Sequence, residues 1–266
     1  MNFLDDMVAR RRVRIAAEYG GLAPADRERL ACCARPVRDF AFALRDRPDV
    51  AVIAEVKKCS PSAGPIAPEC EASKQALHYE DGGAAAISVL TEPESFGGSF
   101  TDLADVADAV SVPVLCKDFV IDPVQLFVAR GHGADAVLLM VRVLGRQLGE
   151  YLDLAGTLGL TSLVEVADRD ELSTALGAGA TVIAVNARDL RTLKVDATAS
   201  LSVVAQGARA GALVVAASGI KGRADVIAAS FAGAQAVLVG ETLMRAPFPE
   251  DVLEQLVGVR KETHHA

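Results

Sequence analysis

The chain has 266 residues, 51% hydrophobic and 23% charged, with no tryptophan and a formal net charge of −8. Its length suits one large α/β barrel or two smaller domains, and its apolar fraction is enough to fill a core, which excludes a disordered chain. The acidic balance leaves no electrostatic footprint for nucleic acid or an anionic membrane, so an anionic ligand needs a local basic site.

No apolar run reaches the length of a membrane span, and residues 1–6, Met-Asn-Phe-Leu-Asp-Asp, are acidic where a signal peptide is basic. The cysteines, Cys32, Cys33, Cys59, Cys70 and Cys116, are odd in number and form no Cys-x-x-Cys pair. They read as reduced thiols of a cytoplasmic protein. The histidines, His78, His132, His264 and His265, have no metal-ligand spacing, and no metal or cofactor is expected.

In chain order, residues 1–48 read as a helical extension, with helices over 4–18 and 37–45 that cap or extend the remainder of the fold. Thereafter a unit repeats: a short β-branched apolar run, a polar turn, then an amphipathic helix. The runs are 51–56, 85–90, 113–116, 136–140, 162–166, 182–185, 213–216 and 236–239. Several follow a glycine that suits a helix end, at Gly82-Gly83, Gly133, Gly179 and Gly233. Eight unbroken strand–helix units argue for an α/β fold closed into a (β/α)8 TIM barrel over 49–266. A doubly wound sheet is disfavoured, since no G-x-G-x-x-G turn is present. No Ser/Gly linker separates extension from barrel, so 1–266 is expected to be one domain.

Barrel chemistry gathers where strands end. The first run closes on Glu55 and Lys57, two residues apart and therefore on one face. A charge pair facing the helix layer is costly to bury, so both should point into the barrel mouth. The third run ends at Lys117, the fifth carries Glu165, and the sixth ends in Asn186-Ala187-Arg188. The seventh and eighth run into Ser218-Gly219 and Gly240-Glu241, where glycine lets backbone N–H groups approach an anion at a helix start. Loops after strands seven and eight form the common phosphate site of such barrels, so a phosphorylated small molecule is the expected partner.

Glu55-Val56-Lys57-Lys58-Cys59-Ser60-Pro61-Ser62 resembles the first-strand signature of the indole-3-glycerol phosphate synthase family. The likeness continues through Ser88-Val89-Leu90-Thr91-Glu92, Phe96-Gly97-Gly98-Ser99, Leu115-Cys116-Lys117-Asp118-Phe119, Leu163-Val164-Glu165-Val166, Val185-Asn186-Ala187-Arg188-Asp189-Leu190 and Leu238-Val239-Gly240, over about 50–244. It implies a carboxy-lyase of tryptophan biosynthesis acting on 1-(2-carboxyphenylamino)-1-deoxyribulose 5-phosphate by ring closure, decarboxylation and dehydration. It also implies Lys117 as general acid, Glu165 as acid/base, and Glu55 and Lys57 in support. Substrate contacts fall on Ser60, Asn186, Arg188, and Phe96 and Phe119 beside the anthranilate ring. For the two phenylalanines simple packing, and for Ser60 a turn role, are open alternatives.

One position departs from the family pattern. The seventh strand usually ends Glu-Ser-Gly, whereas here it reads Ala216-Ala217-Ser218-Gly219. With alanine at 217 the site has one carboxylate fewer, and a lowered lysine pKa is expected nearby. Three readings stay open: a working synthase, a paralogue taking a modified anthranilate-derived substrate in specialised metabolism, and a weakly active or inactive relative that binds the phosphorylated ligand. A different chemistry for Lys57 or Lys117 is Schiff-base formation, as in an aldolase. A monomer or weak homo-oligomer is expected.

Overall fold

Along each of the eight runs, residues alternate between two buried environments, as the two-residue period of a strand requires. On the first strand Val52, Ala54 and Val56 pack outward into one apolar cluster, while Ala51 and Ile53 pack inward into another. The computed structural model describes residues 3–32, 34–189 and 191–262. Met1, Asn2, Cys33, Leu190, His264 and His265 lie outside the described residues.

The strands are β1 (Ala51–Val56), β2 (Ala86–Leu90), β3 (Val114–Lys117), β4 (Ala136–Met140), β5 (Thr161–Val166), β6 (Val182–Asn186), β7 (Leu213–Ala217) and β8 (Ala236–Val239). All pair in parallel in sequence order, and β8 pairs with β1 through Ala51↔Ala236 to Ala54↔Val239, closing a (β/α)8 barrel. The outward Val, Leu and Ile side chains meet the helix layer, each burial contributing about 1.5–3 kcal/mol. Five strands differ by a residue at one end or both: β2 begins one residue later and β5 one residue earlier than expected, and the other three are β3, β6 and β7. β3 begins one residue later, since Pro113 has no N–H to give a ladder, and reaches Lys117, which pairs with Leu90. β6 and β7 each run one residue further, ending at the paired Asn186 and Ala217.

The extension forms three helices where two were expected: α1 (Phe3–Tyr19), α2 (Pro24–Cys32) and α3 (Phe40–Arg45). α2 buries only Ala31 and so carries no apolar stripe to read. α3 starts at Phe40 instead of residue 37, because Asp39 caps it by accepting from the Phe42 N–H at 2.8 Å. Its Phe40 and Leu44 share the inward cluster with the first residues of several strands and plug the N-terminal end of the barrel. α1 lies at the opposite end, where Leu4 and Met7 join Phe119 and Met140. After β1 the chain makes an unexpected short hairpin, Cys59–Ser60 against Gly64–Pro65.

Candidate active site

The inward positions of each strand, continued to the C-terminal end, place Glu55 and Lys57 on β1, Lys117 on β3, Glu165 on β5, Asn186 on β6 and Ala217 on β7. All six line one cavity of about 750 Å³. The cavity is also lined by Ser60, Phe96, Phe119, Arg188, Ser218, Gly219, Gly240 and Glu241, so the expected site residues come together in one mouth.

Glu55 is buried, with Lys57 Nζ at 2.7 Å from Oε1 and Lys117 Nζ at 3.4 Å from Oε2. Burial alone pushes its pKa up, but the two ammonium groups outweigh that and hold it at about 2. Lys57 donates a hydrogen bond to Oε1, whereas Oε2 has none. Lys117 shows a balance of the same kind. Burial disfavours its charge, yet Glu55 and then Glu165 raise its pKa above the ordinary lysine value. The lowered lysine expected from Ala217 is therefore corrected at Lys117, because the two remaining carboxylates suffice to hold its proton. Glu165 is displaced upward: burial dominates, and the opposing pull of Lys117 and the Asn186 amide does not cancel it. The mouth thus holds an ionised carboxylate, a protonated lysine and a carboxylate that takes a proton more readily than usual.

The remaining residues frame this centre. Phe96 and Phe119 stand 6.2 Å apart between ring centroids, tilted by 44°, and form an aromatic wall at the mouth. Ser60 Oγ accepts from the Ala63 N–H at 3.1 Å, so it holds the turn after β1 as well as lining the cavity. Asn186 Oδ1 accepts from the Arg188 N–H and from Ser218 Oγ, at 3.0 and 2.8 Å, fixing its amide. Arg188 donates to the Leu193 carbonyl at 3.1 Å. Ser218 and Gly219 both have positive φ, 65° and 81°, and a non-glycine residue in that region stores strain, of the kind found at ligand clamps. Thr242 Oγ1 donates to the Ile220 carbonyl at 2.9 Å and joins the loops after β7 and β8. Gly240 packs closely on the charged pair: a Cβ there would lie 2.4 Å from Glu55 Oε1 and 3.0 Å from Lys57 Nζ.

Some lining residues were not foreseen. Phe3 enters from α1, and Leu193 and Val195 enter from the loop after β6. Asp118, next to Lys117, accepts from Arg11 of α1 and from Thr91 Oγ1, and its own carboxylate also takes the Phe119 N–H. Partners 107 residues apart leave no local signal in sequence. Among the described residues no group of three or more His, Cys, Asp or Glu is placed to hold a metal, and no helix is long and apolar enough to cross a membrane.

A lysine held between two carboxylates in a barrel mouth, beside paired glycine loops, defines a (β/α)8-barrel enzyme built for proton transfer. The family described as Indole-3-glycerol phosphate synthase matches residues 4–256. The Indole-3-glycerol phosphate synthase of Mycobacterium ulcerans is 46% identical over 255 residues, covering 96% of this chain and 93% of that protein. That of Mycobacteroides abscessus is 47% identical with the same coverage. The chain belongs to the indole-3-glycerol phosphate synthase family. A thiamine phosphate pyrophosphorylase from Pyrococcus furiosus is similar in fold alone, with a TM-score of 0.59 at 15% identity over 78% of this chain and 93% of that one.

Proposed function

We propose that this mouth carries out the indole-3-glycerol phosphate synthase reaction on 1-(2-carboxyphenylamino)-1-deoxyribulose 5-phosphate, as a carboxy-lyase of tryptophan biosynthesis. The observation that carries the reading is Lys117, kept protonated between Glu55 and Glu165. Ring closure joins the carboxyl-bearing ring carbon to the ribulose carbonyl carbon. Lys117 gives its proton to the carbonyl oxygen as the bond forms, so no free alkoxide has to exist. Loss of carbon dioxide returns the bonding pair to the ring and restores its aromaticity. Dehydration then moves two protons, one onto the departing hydroxyl and one off the neighbouring carbon. Glu165 enters as the carboxylate and serves as acid/base for this step, its raised pKa suiting both directions.

Glu55 and Lys57 act in support: Glu55 sets the charge of Lys117, and Lys57 holds the substrate's anionic groups. Asn186 binds a hydroxyl or carboxylate, and Arg188 supports the anionic end. Phe96 and Phe119 wall the anthranilate ring. The phosphate takes the backbone at Ser218, Gly219, Gly240 and Glu241, between two loops that Thr242 ties together. The protein is read as one domain over 1–266, working in the cytoplasm as a monomer or weak homo-oligomer.

A second reading rests on Ala217, which with Ala184 leaves small side chains lining the cavity. It gives the site a ring-substituted, anthranilate-derived substrate. Incubation with the carboxyphenylamino-deoxyribulose phosphate, followed by indole fluorescence, decides between them. Turnover of the unsubstituted compound supports the first reading, and turnover of a substituted one alone supports the second. No turnover of either, with a reduced analogue still bound, defeats both. A covalent adduct trapped by borohydride points instead to Schiff-base chemistry.

A further inference from the structure

Beside Glu165, one guanidinium links three of the loops that surround the mouth. Arg142 sits in the short helix that follows β4 directly, Val141–Leu144. Its Nε donates to Glu171 Oε1 at 2.5 Å, and its Nη1 to Asp189 Oδ1 at 3.3 Å. Its Nη2 reaches Asp168 Oδ2 at 3.4 Å. Glu171 uses its other oxygen to accept from the Ala167 N–H at 2.8 Å, which fixes the turn two residues beyond Glu165. Asp189 lies three residues beyond Asn186 and next to Arg188. Its carbonyl takes the Leu193 N–H at 2.6 Å, and its N–H donates to the Lys194 carbonyl at 2.9 Å. A small cavity, separate from the main one, is shared by Arg142, Glu165, Glu171 and Arg188.

We propose that Arg142 is a positioning residue for catalysis, holding Glu165 and the Asn186–Arg188 pair in register and neutralising Glu171 beside Glu165. The proposal rests on the reading of Glu165 as the acid/base of the reaction. Two features separate it from ordinary loop pinning. Arg142 binds groups in the segment that directly follows the acid/base, after β5, and in the next loop, after β6, and both strands bring residues to the site. It also faces Glu165 across the small cavity, where charge matters because Glu165 is buried. The groups around Glu165 are Lys117 from β3, Asn186 from β6, Glu55 from β1 and Glu171 from the helix Arg169–Gly177, with Arg142 and Arg188 lining the small cavity. Among these the carboxylate of Glu171 opposes ionisation of Glu165, and Arg142 is its ion-pair partner.

The test is the pH dependence of kcat, with thermal unfolding measured alongside, for wild type, Arg142→Met, Arg142→Lys, Glu171→Gln and the Arg142→Met/Glu171→Gln pair. Arg142→Met leaves Glu171 unpaired, so the acid limb moves to higher pH by about half a unit or more. Its kcat at the optimum falls about tenfold or more, with a smaller change in KM, because the loops lose their common tie. Glu171→Gln keeps an oxygen for the Ala167 N–H and removes the charge, so its acid limb moves the opposite way. The double variant returns the limb toward wild type without restoring kcat, and Arg142→Lys recovers part of the loss. Lower melting temperatures with unmoved limbs and unchanged kcat in both single variants overturn the proposal and leave Arg142 a scaffold residue. If Arg142→Met does not fold, Glu171→Gln alone decides, since an unmoved limb there removes the electrostatic half. Wild-type protein that does not turn over the substrate at all refutes the functional reading instead, so the two failures are distinct.

Discussion

The two ends of the barrel each bury an acid, and the acids are treated in opposite ways. At the N-terminal end Asp135 is 1% exposed and accepts from the Arg38 N–H and Nε, from Arg35 Nη2 and from the Val114 N–H, at 2.7–2.9 Å. Both of its oxygens are occupied, and it ties the extension and β3 to the start of β4. At the mouth Glu55 is 2% exposed, yet one of its oxygens has no hydrogen bond. A closed network of fixed donors holds the fold, whereas Glu55 is held ionised by two lysines that themselves line the cavity.

The sharpest way to break this contrast is at Asp135. Asp135→Ala leaves the half-buried Arg35 and Arg38 guanidinium groups and the Val114 N–H without their partner, and the loss is about 1–3 kcal/mol in chemical unfolding, with kcat per folded molecule unchanged. A large fall in kcat of the folded fraction would mean that this end also serves the chemistry. Gly240→Ala should do the reverse. The added Cβ would press on the Glu55 carboxylate and the Lys57 ammonium and push the pair out of place. We expect kcat to fall about ten- to a hundredfold with little change in melting temperature.

The pH response sharpens the comparison further. The folded-state pKa of Glu165 is raised, so its ionised form weakens the fold above that pKa, and the penalty disappears as pH falls through it. Glu165→Gln is therefore more stable than wild type at neutral pH while inactive in dehydration, and this advantage shrinks in acid. Calorimetry at two pH values checks it. Glu55 behaves oppositely: held at about 2, it contributes stability in full above about 4.5, and that is lost as pH falls toward 2. Ala217→Glu is the mildest change. A third carboxylate in the mouth should alter kcat or KM by about threefold or more. Unaltered kinetics would place position 217 away from the reacting atoms.

Much of the site was legible in sequence because strands alternate. Glu55, Lys57, Lys117, Glu165 and Asn186 fall on the inward set of their strands, so parity and the strand-end rule suffice to gather them. α2 was not legible, since a polar helix that buries one alanine has no period. Nor were Arg11 with Asp118 or Arg142 with Asp189, whose ion pairs span 107 and 47 residues and join elements distant in sequence. Lys117 was read correctly as an acid, but the direction of its pKa shift, drawn from Ala217 alone, was not. Its pKa depends on distances to Glu55 and Glu165, which a missing carboxylate at position 217 does not reveal.

The most direct test of the account is Lys117→Met, assayed by indole fluorescence alongside melting temperature and binding of a reduced substrate analogue. Turnover should fall about a thousandfold or more, since the acid for ring closure is gone. The melting temperature should hold and the analogue should still bind. Turnover close to wild type in a folded, analogue-binding variant would contradict the account, because ring closure would then draw its proton from another group.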